Sequence, residues 1–272
     1  LLSRRPQRRV RALRPRGQAL MLVCRGVTVR FGGLVPVNGL DFDLPDRGVF
    51  MLVGPNGAGK TTFINALTRL CPLASGSIVM DGVELGMLPP HRIVAHGIAR
   101  SFQKAELFAG MNALDNVLTG LHARTHSGLG GAFALPAARC EERVSRERAL
   151  QALDEVGLAH VAYVPAAALP YGYQKLLDVA RALVSQPKLL LLDEPFAGVT
   201  EGEVPTLVAC IERAGCDRTV LMIEHHLELV MDLAQRVTVL DFGRKIAEGP
   251  PAAIRRDPAV VRSYLGTRAG AP

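Results

Sequence analysis

No stretch of the 272 residues reaches the roughly 18 to 20 uninterrupted apolar residues that a membrane helix requires, so the chain is expected to be soluble or peripheral to a membrane. The five cysteines (Cys24, Cys71, Cys140, Cys210, Cys216) form no C-x-x-C pair and are odd in number. That argues against a disulfide framework and a zinc site, and predicts reduced, buried thiols in a cytoplasmic protein. Sustained heptads are missing too. The first twenty residues contain no acid but seven arginines (Arg4, Arg5, Arg8, Arg9, Arg11, Arg14, Arg16). Of 32 basic residues, 25 remain beyond them against 25 acids, so the +7 charge belongs to the tail and the body is neutral. A neutral body lacks the phosphate-neutralising surface of a nucleic-acid binder, and no nucleic-acid partner is expected. The tail, residues 1–20, is Pro-interrupted and self-repelling and is predicted to be disordered. A polybasic contact with anionic lipid is one reading of it. Translated sequence upstream of a start at Met21, or the remnant of a fused domain, is preferred, because the chain begins with Leu1 and a strand from Val23 to Val29 follows Met21.

What is present points to a nucleotide. Gly54-Pro55-Asn56-Gly57-Ala58-Gly59-Lys60-Thr61 fits the phosphate-loop pattern G-x-x-x-x-G-K-[ST] and follows the apolar run Val49–Val53, which reads as a buried strand. Glycines let the backbone bend so that successive N–H groups face phosphate oxygens, and the helix that follows, about Thr61 to Leu70, adds its positive end. Lys60 is expected to reach the β- and γ-phosphates and Thr61, beside Thr62, to offer a hydroxyl to Mg²⁺. Strands are predicted at 41–44, 50–53 and 77–80 around this loop. Helical periodicity with charged faces runs from about Lys104 to Leu169. An α/β rhythm then returns: a helix from Tyr173 to Ser185 and strands at 189–192, 219–223, 236–240 and 245–248. This order predicts an α/β fold with a largely parallel sheet, helices on both faces, and a helical insertion between two halves of one nucleotide-binding core.

Lys188-Leu-Leu-Leu-Leu192-Asp193-Glu194-Pro195 reads as a buried strand ending in two carboxylates. Ligands of open α/β sheets bind at the carboxyl ends of strands, so Asp193 is expected to hold Mg²⁺ and Glu194 to polarise an attacking water. His225, after the strand Thr219–Ile223, is placed to reach the γ-phosphate, with His226 a solvated neighbour. Gln103, at the junction of core and insertion, is a candidate ligand of the metal or of the attacking water.

The phosphate loop, Gln103, the segment Leu169-Pro-Tyr-Gly-Tyr-Gln174, Asp193-Glu194 and His225 stand in the order of an ABC transporter nucleotide-binding domain, and the chain resembles that family from Met21 to Gly266. The resemblance implies a phosphate-loop NTPase of ABC type: a RecA-like core, an antiparallel β subdomain and an inserted α-helical subdomain, followed by a short tail, 267–272. Phe31 looks like the aromatic that stacks on adenine. The resemblance further implies ATP and Mg²⁺ as cofactors and a head-to-tail dimer with a second ATP-binding subunit. In that dimer Tyr171, Gly172 and Tyr173 cap the partner's ATP. Permease subunits, and indirectly a periplasmic or extracellular solute-binding protein, are the other partners, and the cytoplasmic face of the cell membrane is the implied location.

Within the family, Arg30-Phe-Gly-Gly33, Ala99-Arg-Ser-Phe-Gln103, Gly128-Leu-Gly-Gly131 and the ending Glu248–Gly266 are similar to the ATP-binding subunits of branched-chain amino acid uptake systems. Lipopolysaccharide-export ATPases share the Tyr264-Leu-Gly266 ending and remain an alternative, as does a nucleic-acid-handling ATPase of the same fold. The chain departs from the family where Pro170 removes the signature serine, where Thr200 replaces a usual aspartate, and at His226.

Overall fold

The computed structural model describes residues 20–101, 106–122, 136–224 and 231–266. Two sheets organise them. In the first, β1 (Leu20–Phe31) and β2 (Leu34–Pro45) form an antiparallel hairpin turned at Gly32-Gly33, and β4 (Ser75–Met80) and β5 (Val83–Glu84) extend it in the order β2-β1-β4-β5. The second sheet contains β3 (Gly48–Val53), β6 (Ile98–Arg100), β7 (Leu189–Asp193), β8 (Thr219–Ile223), β9 (Arg236–Asp241) and β10 (Arg244–Gly249), in the order β10-β9-β3-β8-β7-β6. Its β9, β3, β8, β7 and β6 run parallel, and β10 closes one edge antiparallel to β9.

The central strands are apolar at nearly every position because both faces are covered. Val49, Met51 and Val53 of β3 face one core, and Phe50 and Leu52 face the other. The first core is shared with α2 (Ala113–Thr119), α3 (Pro136–Glu155), α4 (Tyr171–Leu183) and α5 (Val204–Asp217). The second joins the parallel sheet to the antiparallel one and to α1 (Lys60–Leu67), where Phe63 meets Phe42 edge-on with ring centroids 5.1 Å apart. Two short helices, α6 (Pro251–Ile254) and α7 (Pro258–Gly266), follow β10.

Four details differ from the sequence reading. β1 begins at Leu20, which pairs with Pro45, so the ordered hairpin reaches one residue into the predicted tail. α1 stops at Leu67 because Arg69 takes a left-handed backbone, φ 60°, and Leu70 turns back to donate to the Asn65 carbonyl. α4 starts two residues earlier than predicted, at Tyr171, since Pro170 fits the position before a first turn and its carbonyl accepts from Gln174 N–H. Cys140 and Cys216 are exposed, contrary to the expected burial, because they fall on the outer faces of α3 and α5; Cys24, Cys71 and Cys210 are buried.

Candidate nucleotide-binding site

The phosphate loop leaves β3 at Gly54, whose φ of 152° suits only glycine; a Cβ there would overlap the Leu240 carbonyl oxygen of β9. Gly59, φ 99°, packs equally closely on the Pro36 carbonyl of β2. The turn between β9 and β10 clamps the loop from the other side, with Gly243 N–H on the Ala58 carbonyl (3.0 Å) and Asn38 N–H on the Gly243 carbonyl (2.9 Å). Asn56 and Gly57 form the exposed crest, and Pro55 and Ala58 are buried. Lys60 opens α1 and folds back, its ammonium donating to the carbonyls of Gly54 (2.7 Å) and Pro55 (2.9 Å). Burial pushes its pKa down, while Glu194 and Asp193 push it up, which places both carboxylates within electrostatic reach of the loop lysine. Thr61 is exposed in the same first turn, with Thr62 half-buried behind it. Phe31, 50 % exposed, ends β1 in the hairpin whose Pro36 touches Gly59.

Asp193 is the last residue of β7, level with Ile223 of β8. Its Oδ2 accepts from Arg100 Nη2 at 2.7 Å, and Arg100 Nη1 donates to Asn65 Oδ1 of α1 at 2.6 Å. Glu194 follows in a left-handed backbone, φ 49°, with its N–H on the Ile223 carbonyl at 3.0 Å. That conformation costs a non-glycine residue about 1–2 kcal/mol and turns the chain sharply off the strand axis, separating the second carboxylate from the first. Glu224, fully buried after β8, accepts from Phe196 N–H at 3.1 Å and so pins the loop beyond Glu194.

The signature segment begins α4 with no side-chain cap, since Pro170 occupies that place. A carboxylate from another loop lies against this helix start. The Glu203 carboxylate sits so close to Gly172 that a Cβ there would overlap it, and it accepts from Thr200 Oγ1 (2.6 Å) and Thr200 N–H (3.0 Å). These Thr200 bonds, followed by one from Gly172 N–H, hold the Glu203 pKa below the ordinary range. Tyr171 lies half-exposed against Gly198, where a Cβ would crowd its ring, and Lys175 Nζ stands 5.8 Å from the ring centroid. Tyr173 instead turns inward against the helical core, edge-on to His160 at 6.1 Å.

Gln103, His225 and His226 lie outside the described residues. Sequence reasoning missed Arg100, Glu203 and Glu224 as neighbours of the site. Only Glu203 had a local signal, the Thr-x-x-Glu spacing Thr200–Glu203 ahead of α5, which is a helix-start pattern. On α7, Tyr264 packs against the core beside the sheet, and burial raises its phenol to about 12.

A glycine-bent loop carrying a buried lysine at a helix start, facing a strand-end Asp-Glu pair across a parallel sheet, defines a phosphate-loop nucleotide hydrolase. Residues 37–197 match the family model for the ABC transporter, and residues 244–270 match that for the branched-chain amino acid ATP-binding cassette transporter. The chain belongs to the ABC transporter ATP-binding proteins, in the branched-chain amino acid group, and is an ATP-hydrolysing cassette. It is 40 % identical over 249 residues to the high-affinity branched-chain amino acid transport ATP-binding protein BraF of Pseudomonas aeruginosa, covering 90 % of this chain and 98 % of the relative. It is 38 % identical to LivG of Escherichia coli, with the same coverage. The crystal structure of the ADP conformation of the ATP-binding cassette MJ1267 superposes with a TM-score of 0.79 at 29 % identity, over 91 % of this chain and 99 % of the other.

Proposed function

We propose that this cassette powers uptake of branched-chain amino acids, or a closely related small solute, through separate permease subunits at the cytoplasmic face of the membrane, working as a head-to-tail dimer. The observation that carries the chemistry is the register of β3, β8 and β7, which sets Leu52, Ile223 and Asp193 level and so brings the phosphate loop and the Asp193-Glu194 pair to one end of the sheet, supported by the C-terminal match at 244–270. No described helix is long and apolar enough to cross a membrane. On this reading the solute path belongs to the permease subunits.

Lys60 and the loop N–H groups hold the β- and γ-phosphates, and Phe31 offers a face to the adenine. Mg²⁺ fits the donors present. Thr61 Oγ1 and Asp193 are hard oxygen ligands, and Oδ2 of Asp193 is already committed to Arg100, leaving Oδ1 for the metal or a water on it. When bound, the ion supplies charge neutralisation of the phosphates. Glu194, turned off the strand by its left-handed backbone, accepts a proton from the attacking water; His225 and Gln103 complete the γ-phosphate environment. The first turn of α4, at Tyr171 and Gly172, meets the partner's nucleotide, whose phosphate takes the place of the Glu203 carboxylate beside Gly172.

A groove of about 690 Å³ bordered by Arg100, Glu106, Phe108, Thr119, His122 and Arg181 lies between the end of β6 and helices α2 and α4. We place the permease contact there, because Arg100 lines it and also holds Asp193. The function is tested by reconstituting the cassette with its permeases and a binding protein in liposomes. Leucine, isoleucine or valine should stimulate ATP hydrolysis several-fold; stimulation by an unrelated solute alone contradicts the assignment.

A further inference from the structure

Two carboxylates, Asp193 and Glu194, end β7, and two cations face them: Lys60 from the phosphate loop and Arg100 from β6. A wider ring repeats the balance, with Lys175 of α4 in the field of Asp178, Glu194, Glu224 and Asp193, and Arg181 bonded to Asp178 at 2.5 Å. The Arg100–Asp193 pair is buried, with side chains 9 % and 4 % exposed. Its fork spans two elements, Nη2 on Asp193 and Nη1 on Asn65 of α1, a reach that the single ammonium of a lysine does not reproduce. Among the described residues no group of three or more acidic, histidine or cysteine side chains forms a ready metal cluster.

We propose that Arg100 is the positioning residue of the metal-binding carboxylate and makes divalent-cation binding conditional on nucleotide. By neutralising Asp193 and taking its Oδ2, Arg100 leaves the strand end with no net charge to attract a free ion. A divalent cation arriving alone would add two uncompensated positive charges beside Lys60 and Arg100 in a poorly solvated place. A triphosphate brings several negative charges to the same spot, and only then does the ion find compensation. The tie to Asn65 keeps the remaining oxygen, Oδ1, in register with Thr61 on the same helix, α1. The inference rests on Asp193 being the metal carboxylate, as proposed above.

The test titrates Mn²⁺ into nucleotide-free protein and follows free Mn²⁺ by electron paramagnetic resonance. Wild type and Arg100→Lys, which keeps the charge, should bind no Mn²⁺ below the millimolar range until ATP is added. Arg100→Gln should gain a nucleotide-independent site, about ten- to a hundredfold tighter than wild type, the size expected for removing one unit charge a few ångströms from a divalent ion. Adding Asp193→Asn should erase the gain. Should the glutamine variant not fold by circular dichroism, Arg100→Met fills the same space without the charge. A folded neutral variant with no gain overturns the proposal, as does micromolar nucleotide-free binding by wild type. A gained site that survives Asp193→Asn instead removes Asp193 as the metal carboxylate, and with it the reading on which the inference stands.

Discussion

Lys60 and Glu194 divide the work at the level of single residues. Lys60 now spends its ammonium on two loop carbonyls, bonds it exchanges for phosphate oxygens, so Lys60→Ala should weaken ATP binding by about a hundredfold, the order of a lost charge-assisted bond. Calorimetry checks it, and unchanged affinity would remove the phosphate-loop assignment. Glu194→Gln keeps size and the neighbouring bonds but not basicity. Binding should persist while turnover falls by roughly 10² to 10⁴; wild-type turnover would contradict the general-base role. Lys60, Asp193 and Glu194 were legible in the sequence because each sits at a fixed spacing from a strand end. Arg100 was not, since its partner Asp193 is 93 positions away and only the order of β6 and β7 in the sheet brings them together. Nor was Glu224, which acts on a backbone N–H 28 positions earlier.

The helix α4 shows how one element absorbs a sequence departure. Pro170 offers no side-chain cap, and the Glu203 carboxylate, anchored on Thr200, lies against Gly172 in the first turn, which relates both departures to one carboxylate. Glu203→Ala should cost about 1 kcal/mol, the worth of a helix cap, and lower Tm by about 2–4 °C in a chain of this size. A thermal melt matching wild type would contradict that contribution. Because the folded-state pKa of Glu203 lies below its ordinary value of 4.5, its contribution is present above that pH and is lost as pH falls through the lowered value. Gly172→Asp would drive a side chain into the same carboxylate, so it should damage the α4 start even before a partner's nucleotide is considered. The strand and helix positions themselves were readable from apolar runs and periodicity. Their ends were not, because Arg69, Pro170 and the pairing of Leu20 with Pro45 are decided by turn geometry and partners.

On the scale of the whole molecule, two apolar cores share the parallel sheet. One binds it to the antiparallel hairpin layer and α1, the other to α2, α3, α4 and α5. The phosphate loop and the start of α4, which we propose meets a partner's nucleotide, are therefore built on different cores, joined by the β6 and β7 ends and the Arg100–Asp193 pair. On the proposed head-to-tail arrangement, the α4 start of one copy meets the phosphate loop of the other. The central claim is that ATP closes two cassettes on each other. It is tested most directly by sedimentation of the Glu194→Gln variant with and without Mg²⁺ and ATP. A 29.2 kDa species should convert to one of about twice that mass only when nucleotide is present, and adding Gly172→Asp should abolish the conversion. A variant that binds ATP by calorimetry yet sediments as a monomer at high micromolar concentration would contradict the account.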